Sequence, residues 1–252
     1  MDPNMMILDT LSPPASRLNF LRTVPLLAGL GEESLARVAA DFRQKVYSPG
    51  DLIFRQEDTT CDFYIIMSGK VRIYRISPNG GETSINLFFP TDILGEFATI
   101  DSEPRSATAK AIGRCILLQM SQECFLHHMG QLPGLALAMT RLLTGKVRWT
   151  AAYAESVAQY DAAGRLLHTL LLYNERYGRV IEPGQRYILD LSLNQTDLAS
   201  LIGARREWVN RLLQEWRRRG LIEYQAGKII ILDLPAVEHE RDSRIEANVG
   251  GW

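Results

Sequence analysis

The sequence predicts an α+β chain with an antiparallel β-roll in front, a long helix in the middle and a winged helix-turn-helix at the back. Three stretches carry that expectation. Arg43 to Met120 breaks into short β-branched and aromatic runs punctuated by turn residues, and Pro133 to Tyr160 keeps a helical pattern with no internal proline. Asn194 to Leu232 sets two helical patterns, joined at a glycine, ahead of a strand-turn-strand. At 252 residues the chain is long enough for two domains, each burying its own core.

Taken in order, residues 1–16, with Pro3, Pro13 and Pro14, read as a flexible lead-in. Residues 17–132 form the roll domain with a helical preface. Leu18, Leu21 and Val24 run into Pro25, and Glu32 and Glu33 then open a segment with Leu35, Val38 and Ala39 on one side. In the roll, strands are expected over Leu52 to Phe54, Phe63 to Met67, Val71 to Ile76, Thr83 to Phe89 and Thr108 to Leu118. Turns at Ser48-Pro49-Gly50-Asp51, Ser68-Gly69-Lys70 and Pro78-Asn79-Gly80-Gly81 separate them.

Residues 133–160 read as a dimerisation helix. Ala136, Thr140, Leu143, Val147, Thr150, Ala154 and Val157 alternate steps of four and three, a heptad seam suited to a second copy of the chain. Leu142, Trp149 and Tyr153 form a second apolar side. Asp161 stands as an N-cap and begins a unit over residues 161–232, in which Arg179 to Leu191 is expected as a strand, turn and strand. Residues 233–252 form a polar tail, for which disorder is the default.

A formal net charge of -1 means that contact with nucleic acid must come from a local patch. Between Gly164 and Lys228 eleven Lys and Arg stand against seven Asp and Glu, and Arg217, Arg218 and Arg219 are consecutive. The three cysteines, Cys61, Cys115 and Cys124, form no CxxC pair and no metal-ligand spacing, which fits a reducing cytoplasm. No apolar run reaches the roughly 18 to 20 residues of a membrane span, and Met1 to Ser16 lacks the pattern of a signal peptide. His127 and His128 point to different sides of a helix and are expected at the surface or in packing, without a metal. No nucleophile, base and orienting group converge, so the chain is not expected to be an enzyme.

The densest chemistry lies in Leu94 to Ala111. Glu96 follows Gly95, and Arg105 precedes the small residues Ser106 and Ala107. A hydrogen-bond acceptor, a planar cation able to bind a phosphate bidentately and closely approachable amides make this loop a phosphate cradle. Gly-Glu-Phe-Ala followed by Pro-Arg-Ser-Ala resembles the phosphate-binding cassette of cyclic-nucleotide-binding domains. That resemblance implies that Glu96 binds the ribose 2'-hydroxyl, that Arg105 and Ser106 hold the cyclic phosphate, and that Gly95, Phe97 and Ala98 line the loop.

At the back, Asn194 caps a helix through Asp197, Leu198, Leu201 and Ile202 that stops at Gly203. In the second helix Val209, Leu212, Leu213 and Trp216 recur at helical spacing and face the core. Glu207, Arg211, Gln214 and Arg218 then lie opposite that stripe, with Arg206, Asn210 and Arg217 along one flank. Arginine can read guanine, Glu can accept from cytosine, and the Arg217 to Arg219 cluster suits phosphates. The strands at Leu221 to Ile222 and Ile229 to Leu232, with a turn over Gln225 to Lys228, add a wing.

With both motifs in this order, the chain from Phe42 to about Leu232 resembles the cyclic-AMP receptor protein and fumarate-nitrate regulator family of bacterial transcription factors. The resemblance implies a homodimer controlled by cyclic AMP, with cyclic GMP as a second candidate. It also implies a palindromic double-stranded DNA site with half-sites resembling TGTGA, and contact with RNA polymerase. Base reading falls on Arg206, Glu207 and Arg211. Two adjacent hydroxyl residues on the long helix reach adenine in the cyclic-AMP receptor branch; here Thr150 keeps the hydroxyl and Ala151 has lost it. Arg205 replaces a capping Ser, and Trp208 is bulkier than the family's usual residue. The cysteine set of the iron-sulfur branch is absent from the N-terminal region. Two alternatives follow: a family member answering to another effector or to none, and a nucleotide-binding regulatory subunit of a signalling enzyme.

Overall fold

The computed structural model describes residues 13–245, and the chain divides into two compact units between Thr144 and Gly145. In the first unit, helices α1 (Pro13–Arg22) and α2 (Glu32–Ala40) precede strands β1 (Arg43–Tyr47), β2 (Leu52–Phe54), β3 (Phe63–Ile76), β4 (Glu82–Phe88) and β5 (Ile93–Leu94). A six-residue helix, α3 (Glu96–Asp101), leads to β6 (Thr108–Met120), α4 (Gln122–Gln131) and the long helix α5 (Pro133–Gln159). The strands form one antiparallel sheet in the order β1-β6-β3-β4, with β2 added on β6 and β5 on β3.

Alternation along β3 explains why a strand so apolar is needed. Phe63, Ile65 and Met67 face a core built with Leu21, Val38, Phe42, Phe125, Leu135 and Met139 from the helices, whereas Tyr64 and Ile66 face the roll interior with Phe54, Leu94, Ala109 and Leu117. Phe63 stacks on Phe125 at 4.1 Å between ring centroids.

The second unit, beginning within α5, contains α6 (Ala162–Tyr177), β7 (Arg179–Glu182), β8 (Arg186–Leu189), α7 (Gln195–Ile202), α8 (Arg206–Arg218), β9 (Ile222–Gln225), β10 (Lys228–Ile231) and α9 (Leu234–Asp242). Its sheet runs β7-β8-β10-β9. Asp161 caps α6 by accepting from the Gly164 amide, and Asn194 and Asp197 cap α7 reciprocally. Gly203, in the left-handed region at φ 66°, ends α7 and allows the turn into α8. On α8 the predicted stripe Val209, Leu212, Leu213 and Trp216 is buried. Trp216 is its largest member, and it fixes the helix against the unit's core.

The architecture departs from the sequence expectation in three places. Within the lead-in, residues 1–12 lie outside the described part, and the helix already starts at Pro13, since consecutive prolines are tolerated in a first turn. Ser68-Gly69-Lys70 is not a reversal: β3 runs straight through as one strand, and the glycine, at φ 91°, sits where the register against β6 shifts. A Cβ there would lie 2.6 Å from the Arg114 carbonyl oxygen, so the kink brings two backbones together. The polar tail continues the domain as α9, capped by Asp233, which accepts from the Ala236 amide, with Pro235 in its first turn and Val237 buried. Residues 246–252 lie outside the described part. β1 and β5 had no counterpart among the expected elements.

Asn194→Ala removes an acceptor on which the start of α7 depends. It is expected to lower stability by about 1 kcal/mol in urea unfolding of the full chain. An unchanged midpoint would remove the capping box from the account of how this motif forms.

Candidate effector site and nucleic-acid interface

Gly95 opens the loop between β5 and β6 at φ 81°, and a side chain there would overlap the Arg105 guanidinium and the Asp62 carbonyl. Next to it Glu96 is the first residue of α3 and is buried, as is Ala98, whereas Phe97 and Ser106 are exposed. Thr99 ties the helix down, its hydroxyl donating to the carbonyls of Cys61 at 2.8 Å and Gly95 at 2.9 Å. From α4, Gln122 donates to the Thr99 carbonyl at 3.0 Å and to the Ser102 hydroxyl at 2.8 Å, holding the far end of α3.

Arg105 is 1% exposed. Its Nη1 donates to the Gly95 carbonyl and its Nη2 to the Asp62 carbonyl, each at 2.8 Å, while its Nε is buried without a partner. The guanidinium lies 4.3 Å over the Phe54 ring. Burial lowers its pKa from the usual value, and the guanidinium nonetheless stays charged. Both hydrogen bonds go to neutral carbonyls, and the nearby Asp62 and Glu96 carboxylates add to the dipoles and the aromatic face that hold the positive charge inside the roll. Burial also raises the Tyr64 hydroxyl far above its ordinary value, with Arg105 opposing that shift.

The cassette residues are therefore together in space, and Phe54, Asp62, Tyr64 and Gln119 join them. Gln119 donates to the Asp62 carboxylate at 2.5 Å and fixes the turn whose carbonyl holds Arg105. No sequence signal marks these four, since each is distant along the chain from the cassette and none belongs to its pattern. Thr150 falls in the second unit; it is exposed, and its hydroxyl donates to the Lys146 carbonyl at 2.9 Å, a bond internal to α5. His128 packs, its Nε2 lying 2.7 Å from the Asp41 carboxylate. Among the described residues no group of His, Cys, Asp or Glu is arranged to hold a metal ion, and no helix is long and apolar enough to cross a membrane.

On α8, Arg206, Glu207, Asn210, Arg211, Gln214, Arg217 and Arg218 are all exposed, on the face away from the buried stripe. The N-cap Arg205 makes no side-chain capping bond. Gln195, at the start of α7, donates to the Asn210 side chain at 2.8 Å and lies 3.5 Å from Arg206 Nε. It thus bridges Arg206, a predicted reading residue, and Asn210, a predicted DNA-binding residue beside it, a role visible only once the two helices are packed.

A roll with this cassette, joined to a winged helix-turn-helix with a basic exposed face, defines a DNA-binding transcription regulator with a cyclic-nucleotide-binding domain. The cyclic nucleotide-binding domain model matches residues 44–131, and the Crp-like helix-turn-helix domain model matches residues 164–240. The chain is 26% identical over 208 residues to the CRP-like cAMP-activated global transcriptional regulator of Mycobacterium tuberculosis, covering 82% of this chain and 92% of that one. It is 27% identical over 215 residues to the cyclic AMP receptor protein of Thermus thermophilus, covering 85% and 95%. A solved CooA variant from Carboxydothermus hydrogenoformans shares the fold at a TM-score of 0.67 and 21% identity, over 80% of this chain and 88% of that one. The chain belongs to the cyclic-AMP receptor protein and fumarate-nitrate regulator family.

Gly95→Ala is expected to strain the backbone and displace Arg105. It should cost roughly 1–3 kcal/mol in denaturant unfolding. Wild-type stability in that variant would mean that the cradle does not depend on the close approach at Gly95.

Proposed function

We propose that the chain is a homodimeric, sequence-specific regulator whose grip on a palindromic DNA site is set by a cyclic nucleotide in the roll, with cyclic AMP the favoured effector. The observation that carries this reading is the buried Arg105 cation, bonded to two carbonyls and retaining an unpartnered Nε at a loop with the cassette pattern. A buried guanidinium with an unpartnered Nε favours an anion, and a phosphate offers the planar bidentate acceptor that it fits. Glu96, Ser106 and the amides of Phe97 and Ala98 complete the cradle around the ribose and phosphate, with Thr150 of α5 serving the base.

Dimerisation rests on the seam of α5. Thr140, Thr150 and Ala154 are exposed, and so are the apolar Val147, at 69%, and Val157, at 53%. Apolar residues at heptad spacing on an exposed face are explained by a second copy. Two recognition helices then meet half-sites about 34 Å apart on one face of DNA. Arg206, Glu207 and Arg211 read a half-site resembling TGTGA, and Arg217 and Arg218 hold phosphates. Effector binding changes DNA affinity through contacts that differ between two states of the dimer. Such a regulator works in the cytoplasm beside RNA polymerase. A second reading, an effector other than cyclic AMP, is favoured by Ala151, which lacks the hydroxyl expected at the adenine.

Calorimetry with cyclic AMP and cyclic GMP tests the effector. Binding is expected to weaken about 100-fold or more in Arg105→Ala, the loss of two charge-assisted bonds. No heat from either nucleotide on the wild type would remove the cyclic-nucleotide effector. Gel shifts on a symmetric TGTGA site are expected to lose about 10- to 100-fold in affinity with Arg206→Ala or Glu207→Ala. Unchanged binding by both would reject the base-reading assignment.

A further inference from the structure

Helix α9 and the residues after it return to the point where α5 hands over to α6. The Asp161 amide donates to the Arg244 carbonyl at 3.1 Å, and Tyr160 pairs with Ile245 in an antiparallel bridge. The Tyr160 hydroxyl lies 3.5 Å from the Asp242 carboxylate, and Arg244 Nη1 lies 3.6 Å from that of Asp161. In the first turn of α6, a Cβ on Gly164 would sit 2.8 Å from the Arg244 Cβ and 2.9 Å from the Tyr160 Cβ. A glycine inside a helix costs about 1 kcal/mol relative to alanine. The close approach of the C-terminal segment accounts for its presence here.

The same segment reaches the recognition helix. Glu240 is 6% exposed; its Oε1 accepts from Arg244 at 2.8 and 3.1 Å, and its Oε2 accepts from Arg219 at 2.5 Å. Arg219 follows α8 directly and lies 3.4 Å from Glu215 on that helix, which in turn is 3.9 Å from Arg244. Arg219, Glu240 and Arg244 line an open polar cleft of about 500 Å³ with Asp161, Ser243 and Ile245. The two arginines hold the Glu240 carboxyl below its ordinary range. A carboxylate this buried is tolerable only when paired from both sides, and such pairing specifies one geometry more than it adds stability.

Resting on the regulator reading above, we propose that the C-terminal segment from Asp233 to Ile245 is a strap. It locks the joint at Tyr160 and Asp161 and ties that joint to the end of the recognition helix, so that Glu240 and Arg244 are positioning residues for DNA binding. Neither residue needs to touch DNA. The recognition helix and the joint then move as one body, and DNA affinity depends on a salt-bridge cluster remote from the bases.

Glu240→Gln and Arg244→Ala in the full chain test this by hydrogen exchange and by DNA affinity. Exchange at the amides of residues 160–165 is expected to quicken about tenfold or more in both variants, while the amides of α8 keep wild-type rates. Affinity for the symmetric site should fall several-fold in Glu240→Gln with an unchanged salt slope. Removing a negative charge by itself would raise affinity for a polyanion, so the sign separates positioning from bulk electrostatics. Wild-type exchange at residues 160–165, an equal rise throughout α8, or DNA affinity that stays level or increases in Glu240→Gln would each overturn the strap. A wild-type chain that binds no DNA would instead refute the regulator reading and with it the positioning role, while the exchange comparison would still decide whether the joint is locked.

Discussion

A guanidinium that keeps its proton has been taken out of water at Arg105, and the front unit is arranged around the consequences. Its two carbonyl partners belong to Gly95, just after β5, and Asp62, just before β3, and its aromatic partner Phe54 belongs to β2. The backbone at Arg105 is tied as well: its amide donates to the Asp58 carbonyl and its own carbonyl accepts from the Glu57 amide, each at 2.9 Å. One residue thus fastens the ends of several strands at one mouth of the roll. Remove the charge and the carbonyls of Gly95 and Asp62 lose their donors in a buried setting, which costs more than the bonds themselves contribute.

Glu240 is another of the buried charged residues, which also include Asp92, Glu96 and Asp197, and its setting contrasts with that of Arg105. Glu240 has an arginine on each oxygen, so its field is largely quenched where it stands. Arg105 has dipoles and a ring face, which stabilise a cation without neutralising it. Low dielectric strengthens what remains of its field. A charge bonded by an arginine on each oxygen organises the protein, whereas Arg105 gives its two hydrogen bonds to carbonyls and keeps an Nε without a partner. On that ground the cluster around Glu240 reads as scaffold, and Arg105 is the residue on which the proposed effector site rests.

What could be read from the sequence divides along the range of the interactions involved. The turn from α7 to α8 was legible because each of its devices is local: Asn194 and Asp197 are three residues apart, Gly203 needs only its own φ, and the stripe from Val209 to Trp216 repeats within one helix. The cassette was legible as a pattern, but not the depth of Arg105, which is set by Phe54 and Asp62, both more than forty residues away. Gly69 misled because a positive φ serves a bulge as well as a reversal, and the choice is made by the partner strand β6. The C-terminal helix was missed because its charged residues suggest solvent when taken singly. Only the fold reveals that Glu240 faces two arginines.

The long helix brings these strands of reasoning to one place. Its residues Leu135 and Met139 are buried in the core of the front unit, and Tyr153, whose hydroxyl donates to the Leu201 carbonyl at 3.0 Å, belongs to the back unit. Ser156 is buried nearby, its hydroxyl donating to the Tyr153 carbonyl at 2.7 Å. With those sides committed, the heptad positions at Val147, Thr150, Ala154 and Val157 remain exposed in the single chain, and valines at that spacing gain only by burial. In the proposed dimer a second copy would cover them, and Thr150 would then lie at the interface between chains. For the proposed regulator no long wire between ligand and DNA is needed, since Thr150, the exposed heptad positions and the approach to the joint all lie on one continuous helix.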